Sequence, residues 1–140
     1  MKNLTHITIA FLAVSLTCAA PAPYPVVVDS QADTAASVTA YRGNESTYRV
    51  SFKDGGAASD ITGLTPFFSV FTNNLSSVYS TGTVSVVSWT NGVVDFTFSP
   101  EAIAWLANKS WYQAGVWFTN GNPHVYNSGV FTVYGSPSGQ

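Results

Sequence analysis

The sequence predicts an all-β protein: an immunoglobulin-like antiparallel β-sandwich with one short helix and an extended N-terminal segment. Short runs that alternate apolar and polar residues recur from Ser37 onward, and turn residues separate them. Charged residues make up only 9% of the 140 residues and apolar residues 46%, which disfavours intrinsic disorder. This length fits one domain with a sizeable core.

We expect three parts along the chain. Residues 1–36 form an N-terminal segment, residues 37–135 form the sandwich, and residues 136–140 form a flexible tail. The tail has the composition of a turn, and such termini fray easily.

The first part begins with two alternatives. Residues 2–20 contain one lysine, an apolar run from Ile7 to Leu16, and then small residues. This order is typical of a secretory signal peptide, here with cleavage near Ala19. The alternation of residues 5–11 equally fits a retained apolar arm. In either case the run is too short for a stable membrane span.

A proline-rich linker follows this segment. Pro21, Pro23 and Pro25 favour an extended backbone and exclude a helix. We therefore expect the linker to lead into a first strand near Val26–Asp29.

The body begins with alternating strands. Tyr48, Val50 and Phe52 are predicted to face the core, because successive strand side chains point to opposite faces. In the same way Phe68 and Val70 are predicted to point inward from the run that ends at Phe71.

A hairpin is predicted around Asn91-Gly92, which lies between two apolar runs. Both residues tolerate the positive φ of a type I′ turn, and that turn matches the twist of the flanking strands. Ser99-Pro100-Glu101 then predicts a short helix over about Pro100–Ala107, since serine caps helices and proline suits the first helical position.

The last hairpin joins Trp111–Thr119 to Val125–Tyr134. Alternation predicts Phe118 to be buried, and Gly129 indicates a bulge or a close backbone approach. The core as a whole is predicted to contain Tyr48, Val50, Phe68, Phe96, Tyr112, Val116 and Phe131.

Composition argues against several classes of function. Five basic residues against seven acidic ones, without a basic cluster, disfavour nucleic-acid binding. Cys18 is the only cysteine, so an intrachain disulfide and a multi-cysteine zinc site are excluded. We expect no catalytic residues, cofactor or metal.

Two groups of residues offer alternative chemistry. His124 and Asp95 could belong to a hydrolase site, but the sequence has no nucleophile-elbow motif. Calcium could bind Asp29, Glu45, Asp54 or Asp60, but no loop has the alternating acidic spacing of a calcium site. We therefore predict that the protein is not an enzyme.

The order of several short elements resembles the N-terminal immunoglobulin-like domain family of tailed-phage baseplate upper proteins and related virion modules. Asp60-Ile61-Thr62-Gly63 and Gly129-Val130-Phe131-Thr132-Val133 match elements that precede the third strand and close the domain in that family. Gly43-Asn44-Glu45, the Asn91-Gly92 hairpin and Ser99-Pro100-Glu101 fall in the same order. The resemblance spans roughly residues 40–134 and implies a sandwich that docks onto other virion proteins.

Strand alternation also predicts an aromatic surface. In an immunoglobulin-like sandwich the third strand and the last two strands share one sheet. The outward positions of these strands would then gather five aromatic residues on one face, and a large exposed apolar patch marks an interface. We predict this partner interface at Phe67, Phe71, Trp111, Trp117 and Tyr134.

Two functions remain open from the sequence. The first is a phage virion structural protein, such as a decoration, head-fibre or tail/baseplate module, whose partners are other virion proteins or further copies of itself. The alternative is a secreted or periplasmic binding module, adhesin-like or carbohydrate-binding. The signal-like segment and the exposed aromatic residues favour this alternative.

Overall fold

A computed structural model describes residues 22–72 and 78–135 of the chain. The predicted signal-like segment or arm, its cleavage near Ala19 and the tail 136–140 lie outside these residues. The described part contains the following elements: β1 Tyr24–Asp29, β2 Val38–Tyr41, β3 Ser46–Asp54, β4 Ala57–Ala58, β5 Thr65–Phe71, β6 Val78–Thr81, β7 Thr83–Ser88, β8 Val93–Phe98, α1 Pro100–Ala104, β9 Lys109–Trp117 and β10 Pro123–Tyr134.

The strands form two sheets. Sheet A has the order β1-β3-β8-β7, with the short β4 also paired to β3, and sheet B has the order β2-β10-β9-β5-β6. This distribution of strands is that of an immunoglobulin-like sandwich, so the predicted all-β fold is confirmed. Two edge pairs depart from the predicted antiparallel arrangement, because β1 runs parallel to β3 and β2 runs parallel to β10.

The first strand of sheet A lies in the region that the sequence assigns to the linker. β1 runs alongside Tyr48–Lys53 of β3, and its alternation buries Val26 and Val28 in the core. The strand expected near Val26–Asp29 is therefore present. It belongs to the same sandwich as the strands that follow residue 37.

The centre of the core is a stack of three aromatic rings. Phe68 lies between Tyr48 and Tyr112, at ring-centroid distances of 5.9 and 4.9 Å and interplanar angles of 7° and 10°. Tyr48 belongs to sheet A, whereas Phe68 and Tyr112 belong to sheet B, so the stack joins the two sheets. All seven predicted core residues are at most 1% exposed, and the predicted core is confirmed.

The two stacked tyrosines also fix the backbone that enters β2. The Tyr48 hydroxyl donates to the Thr39 carbonyl at 2.7 Å, and the Tyr112 hydroxyl donates to the Ala36 carbonyl at 2.5 Å. Desolvation raises the pKa of both phenols to about 12. Gly129 makes room for the Tyr112 side chain, because a Cβ added at Gly129 would lie 2.8 Å from the Tyr112 ring.

Gly129 is therefore a position of close packing, as expected, but the approaching group is a side chain. The bulge in β10 lies elsewhere, between Val125 and Asn127. The chain is thus irregular where β10 passes Gly115 and regular at Gly129.

The turn at Asn91-Gly92 differs from the predicted type I′ geometry. Gly92 has a φ of 62°, whereas none of the described non-glycine residues has a positive φ, so Asn91 does not share the left-handed conformation. The Gly92 N–H donates to the Trp89 carbonyl, and the connection between β7 and β8 consists of residues 89–92, which is longer than the predicted two-residue turn. The bulge between Val86 and Ser88 accommodates the longer connection.

The helix begins as predicted but is shorter. The Ser99 side chain accepts a hydrogen bond from the Ala102 N–H, and Pro100 occupies the first turn. The helix ends at Ala104, although about two turns to Ala107 were expected. It buries Ile103, after which Leu106 is also buried and holds the following turn against the core.

We expect the sandwich to lose stability as the pH rises from about 10 to 12. The unfolded chain ionises its tyrosines near pH 10, whereas burial keeps Tyr48 and Tyr112 neutral up to about 12. Raising the pH therefore favours the unfolded state in this window. Urea unfolding at a series of pH values measures the effect.

Tyr48→Phe and Tyr112→Phe should each reduce the loss of stability at alkaline pH, because each variant removes one of the two buried phenols. At neutral pH each should cost about 1–3 kcal/mol, because the accepting carbonyl loses its partner. Tyr134→Phe, at a site that is 52% exposed, is the matched control. If the two core variants lose stability with pH as steeply as the natural chain, the alkaline loss of stability does not come from Tyr48 and Tyr112.

Candidate interaction surface

The outward positions of sheet B carry the five residues that the sequence predicted as an interface. The register places Phe67 opposite Gly115, Phe71 opposite Trp111, and Thr65 opposite Trp117. Tyr134 lies on the same side of the sheet, opposite Tyr41 of β2. The predicted alternation of β5, β9 and β10 is therefore correct at these positions. We call this side of sheet B the outer aromatic face.

One end of the outer aromatic face is formed by Phe67 and Trp117. Their ring centroids are 5.6 Å apart. Trp117 is 43% exposed and Phe67 is half-buried. Gly115 pairs directly with Phe67, two residues before Trp117 on β9, and a Cβ there would be 2.1 Å from the His124 carbonyl oxygen. The glycine thus lets the backbone of β10 come close to β9 beneath the aromatic pair.

The middle of the outer aromatic face is more enclosed. Phe71 is only 7% exposed and Trp111 is half-buried. Lys109 places its ammonium group 5.8 Å from the centre of the Trp111 ring, within the range of a cation–π interaction. Phe71 therefore adds little accessible area to this face.

The far end of the outer aromatic face carries a stacked pair of tyrosines. Tyr41 and Tyr134 have ring centroids 5.7 Å apart and are 40% and 52% exposed. β9 extends over nine residues, so roughly 25 Å separates this end from Trp117. The structure brings the five predicted residues onto one face but leaves its two most exposed members at opposite ends. Their role as a partner interface stays a prediction.

The hairpin tip beyond β9, residues 118–122, carries an exposed aromatic residue that sequence reasoning missed. Phe118 is 42% exposed, although alternation predicted it to be buried. The strand ends at Trp117, and the Phe118 N–H donates to the Asn122 carbonyl inside the turn. Phe118 therefore lies beyond the sandwich, where its ring is 5.7 Å from His124. The turn residues Asn120-Gly121-Asn122 were the available signal that the strand ends early.

His124 and Asp95 do not form a common site. His124 lies in β10 of sheet B, whereas Asp95 lies in β8 of sheet A and pairs with Arg49 through two contacts of 2.9 Å. The ring of His124 packs between Phe118 and Tyr126, at centroid distances of 5.7 and 5.0 Å. These contacts are packing contacts with neighbouring aromatic side chains of the hairpin.

Three of the four carboxylates considered for calcium, Asp29, Asp54 and Asp60, accept hydrogen bonds from nearby residues. Asp29 accepts hydrogen bonds from the backbone N–H groups of Gln31, Gly55 and Gly56, and Gln31 contributes most to lowering its pKa. Asp60 accepts from the hydroxyl and the backbone N–H of Thr62, which likewise lower its pKa. In residues 22–72 and 78–135 no three His, Cys, Asp or Glu side chains are grouped as metal ligands would be.

Charge is distributed unequally between the two sheets. Lys109 is the only Asp, Glu, Lys or Arg in the five strands of sheet B. Sheet A carries charged residues on three strands: Asp29, Arg49, Lys53, Asp54 and Asp95. The outer aromatic face is therefore both aromatic and nearly uncharged, which are features of the buried centre of a protein interface.

A comparison with solved structures finds this fold in the N-terminal domain of phage TP901-1 ORF48. The TM-score is 0.61 at 14% sequence identity, and the match covers 79% of this chain and 97% of that chain. At this identity the likeness concerns the fold, so the chain has the β-sandwich of a phage-protein domain. No protein-family model and no curated protein matches the sequence.

The comparison supports the phage resemblance at the level of fold, and the particular family stays a prediction. A separate finding concerns membranes: among the described residues, no helix has the length and apolar character needed to cross a bilayer.

We expect Gly115→Ala to destabilise the protein by about 1–3 kcal/mol, the usual cost of overpacking. The new methyl group would collide with the backbone of His124 and Val125. Gly135→Ala is the matched control, since a Cβ there meets nothing within 4 Å and should change stability by less than about 0.5 kcal/mol. Urea unfolding compares the two, and equal stabilities would contradict the close approach at Gly115.

Proposed function

We propose that this chain is a structural module of a phage virion, which binds other virion proteins and catalyses no reaction. The observation that carries the proposal is the likeness to a phage-protein domain, which extends over 97% of that domain's chain. The location that follows from this proposal is the virion. The particular position, as a decoration, head-fibre or tail/baseplate module, is not fixed by the fold.

The outer aromatic face is the proposed docking surface. Permanent interfaces bury uncharged, aromatic-rich surface, because desolvating charge is costly. Trp117, at one end of this face, is its proposed main contact, since it is 43% exposed and tryptophan is enriched among residues that dominate binding energy. Phe118 and Val125, which are 42% and 40% exposed, extend the apolar surface along the hairpin.

Trp117→Lys tests the docking surface. The side chain is already partly in water, so we expect the sandwich to fold normally, whereas a lysine within the apolar contact should abolish attachment. Trp105→Lys is the matched control, because Trp105 is 80% exposed and follows the helix α1, away from Trp117. The measurement is immunoblotting of purified phage particles, with circular dichroism of each purified variant.

Three outcomes are informative. If the natural chain and Trp105→Lys attach to particles and Trp117→Lys does not, the result supports both the function and the surface. Normal attachment of Trp117→Lys contradicts the surface but not the function. Absence of the natural chain from particles and its recovery from the medium contradicts the virion function and favours the secreted binding module.

A further inference from the structure

Strand β7 is the least protected edge of the sandwich. The four outermost strands of the two sheets are β1, β7, β2 and β6. Natural edges resist pairing with other chains when they are short or carry proline or charge. β1 contains Pro25 and Asp29, and β2 and β6 have only four residues each. β7 has six residues, TVSVVS, with neither proline nor charge.

The side chains of β7 leave apolar surface open. Val84 lies opposite the buried Phe96, so it occupies a core-facing position, yet it is 43% exposed. The bulge between Val86 and Ser88 leaves Val87 50% exposed, and Trp89 continues the apolar edge at 43%. Within residues 22–72 and 78–135, sheet A is therefore open beside β7, at a place where one more strand would cover Val84.

The chemistry of an edge determines what can occupy it. An outermost strand presents a row of backbone N–H and C=O groups, and only another extended strand can pair with all of them. Between Ile61 and Val94 the chain has no Asp, Glu, Lys, Arg or His. The occupant should therefore be an extended strand that is also free of charge.

We propose that β7 pairs with β7 of a second copy of this chain, so that sheet A continues across a dimer. Antiparallel pairing of one strand with itself is two-fold symmetric, the commonest symmetry of oligomers. A charged edge would repel its own copy, but β7 is uncharged. The nearest carboxylate on the adjacent strand, Asp95 opposite Ser85, is neutralised by its two contacts with Arg49.

The test is the oligomeric state of the full chain, measured by sedimentation velocity over a range of concentrations. We expect a dimer whose dissociation constant rises at least about tenfold in Val84→Lys and in Val87→Lys, because like charges would face each other at the junction. Val27→Lys is the matched control. It changes an equally exposed valine, 49% exposed, on the opposite edge of the same sheet, and should leave the dimer unchanged.

Hydrogen exchange provides the second measurement. Backbone amides of β7 should exchange more slowly in the dimer than in the monomeric lysine variants. A natural chain that is monomeric at every concentration would overturn the proposal, as would a dimer that both β7 variants retain. If Val84→Lys does not fold, Val87→Lys at the bulge still decides the question. The inference does not rest on the virion function, because the self-association is measured on the purified chain without phage particles.

Discussion

The stack of Tyr48, Phe68 and Tyr112 is the interaction on which the rest of the sandwich depends. Phe68 also contacts Phe96, Phe98 and Phe131, at centroid distances of 5.7, 5.7 and 6.4 Å. One ring therefore contacts side chains from both sheets and sets how they face each other. The hydroxyls at the two ends of the stack hold Ala36 and Thr39, which fixes where the chain crosses from sheet A to sheet B.

This arrangement explains how a nearly uncharged chain forms a stable and specific core. The stacked tyrosines place polar atoms inside the sandwich, and each is satisfied by a backbone carbonyl. A buried hydroxyl without a partner would be costly, so the hydrogen bonds select one position for the entry into β2. That entry in turn positions Tyr41 beside Tyr134 at the end of the outer aromatic face.

Much of the fold could be predicted because the alternation of apolar and polar residues indicates which side of a strand faces the core. Tyr112 and Val116 are buried and Trp117 is exposed, as alternation requires. The wrong predictions concern residues just beyond the ends of strands, where apolar and polar residues no longer alternate. Phe118 follows the last residue of β9, and Asn91 lies in a turn whose length is set by the bulge at Val87. Strand pattern does not encode the residue at which a strand ends or the position of a bulge.

The candidate surface was less predictable for a different reason. Alternation gives the side of a sheet, but it does not give what lies beside a residue on that side. Phe71 points outward and is still only 7% exposed, so the direction of a side chain does not give its accessible area. Tyr41 joins the same face only because β2 pairs in parallel with β10, and a four-residue strand carries too little pattern to predict that pairing.

The two proposed contacts use different parts of the sandwich and can operate together. A partner on the outer aromatic face would pack against the side chains of sheet B, whereas a strand on the β7 edge would extend sheet A within its own plane. A second copy on β7 would lengthen sheet A without covering Trp117. Arg49 and Asp95 form their ion pair on sheet A. The two contacts involve the strands β5, β7, β9 and β10, among which Lys109 is the only Asp, Glu, Lys or Arg.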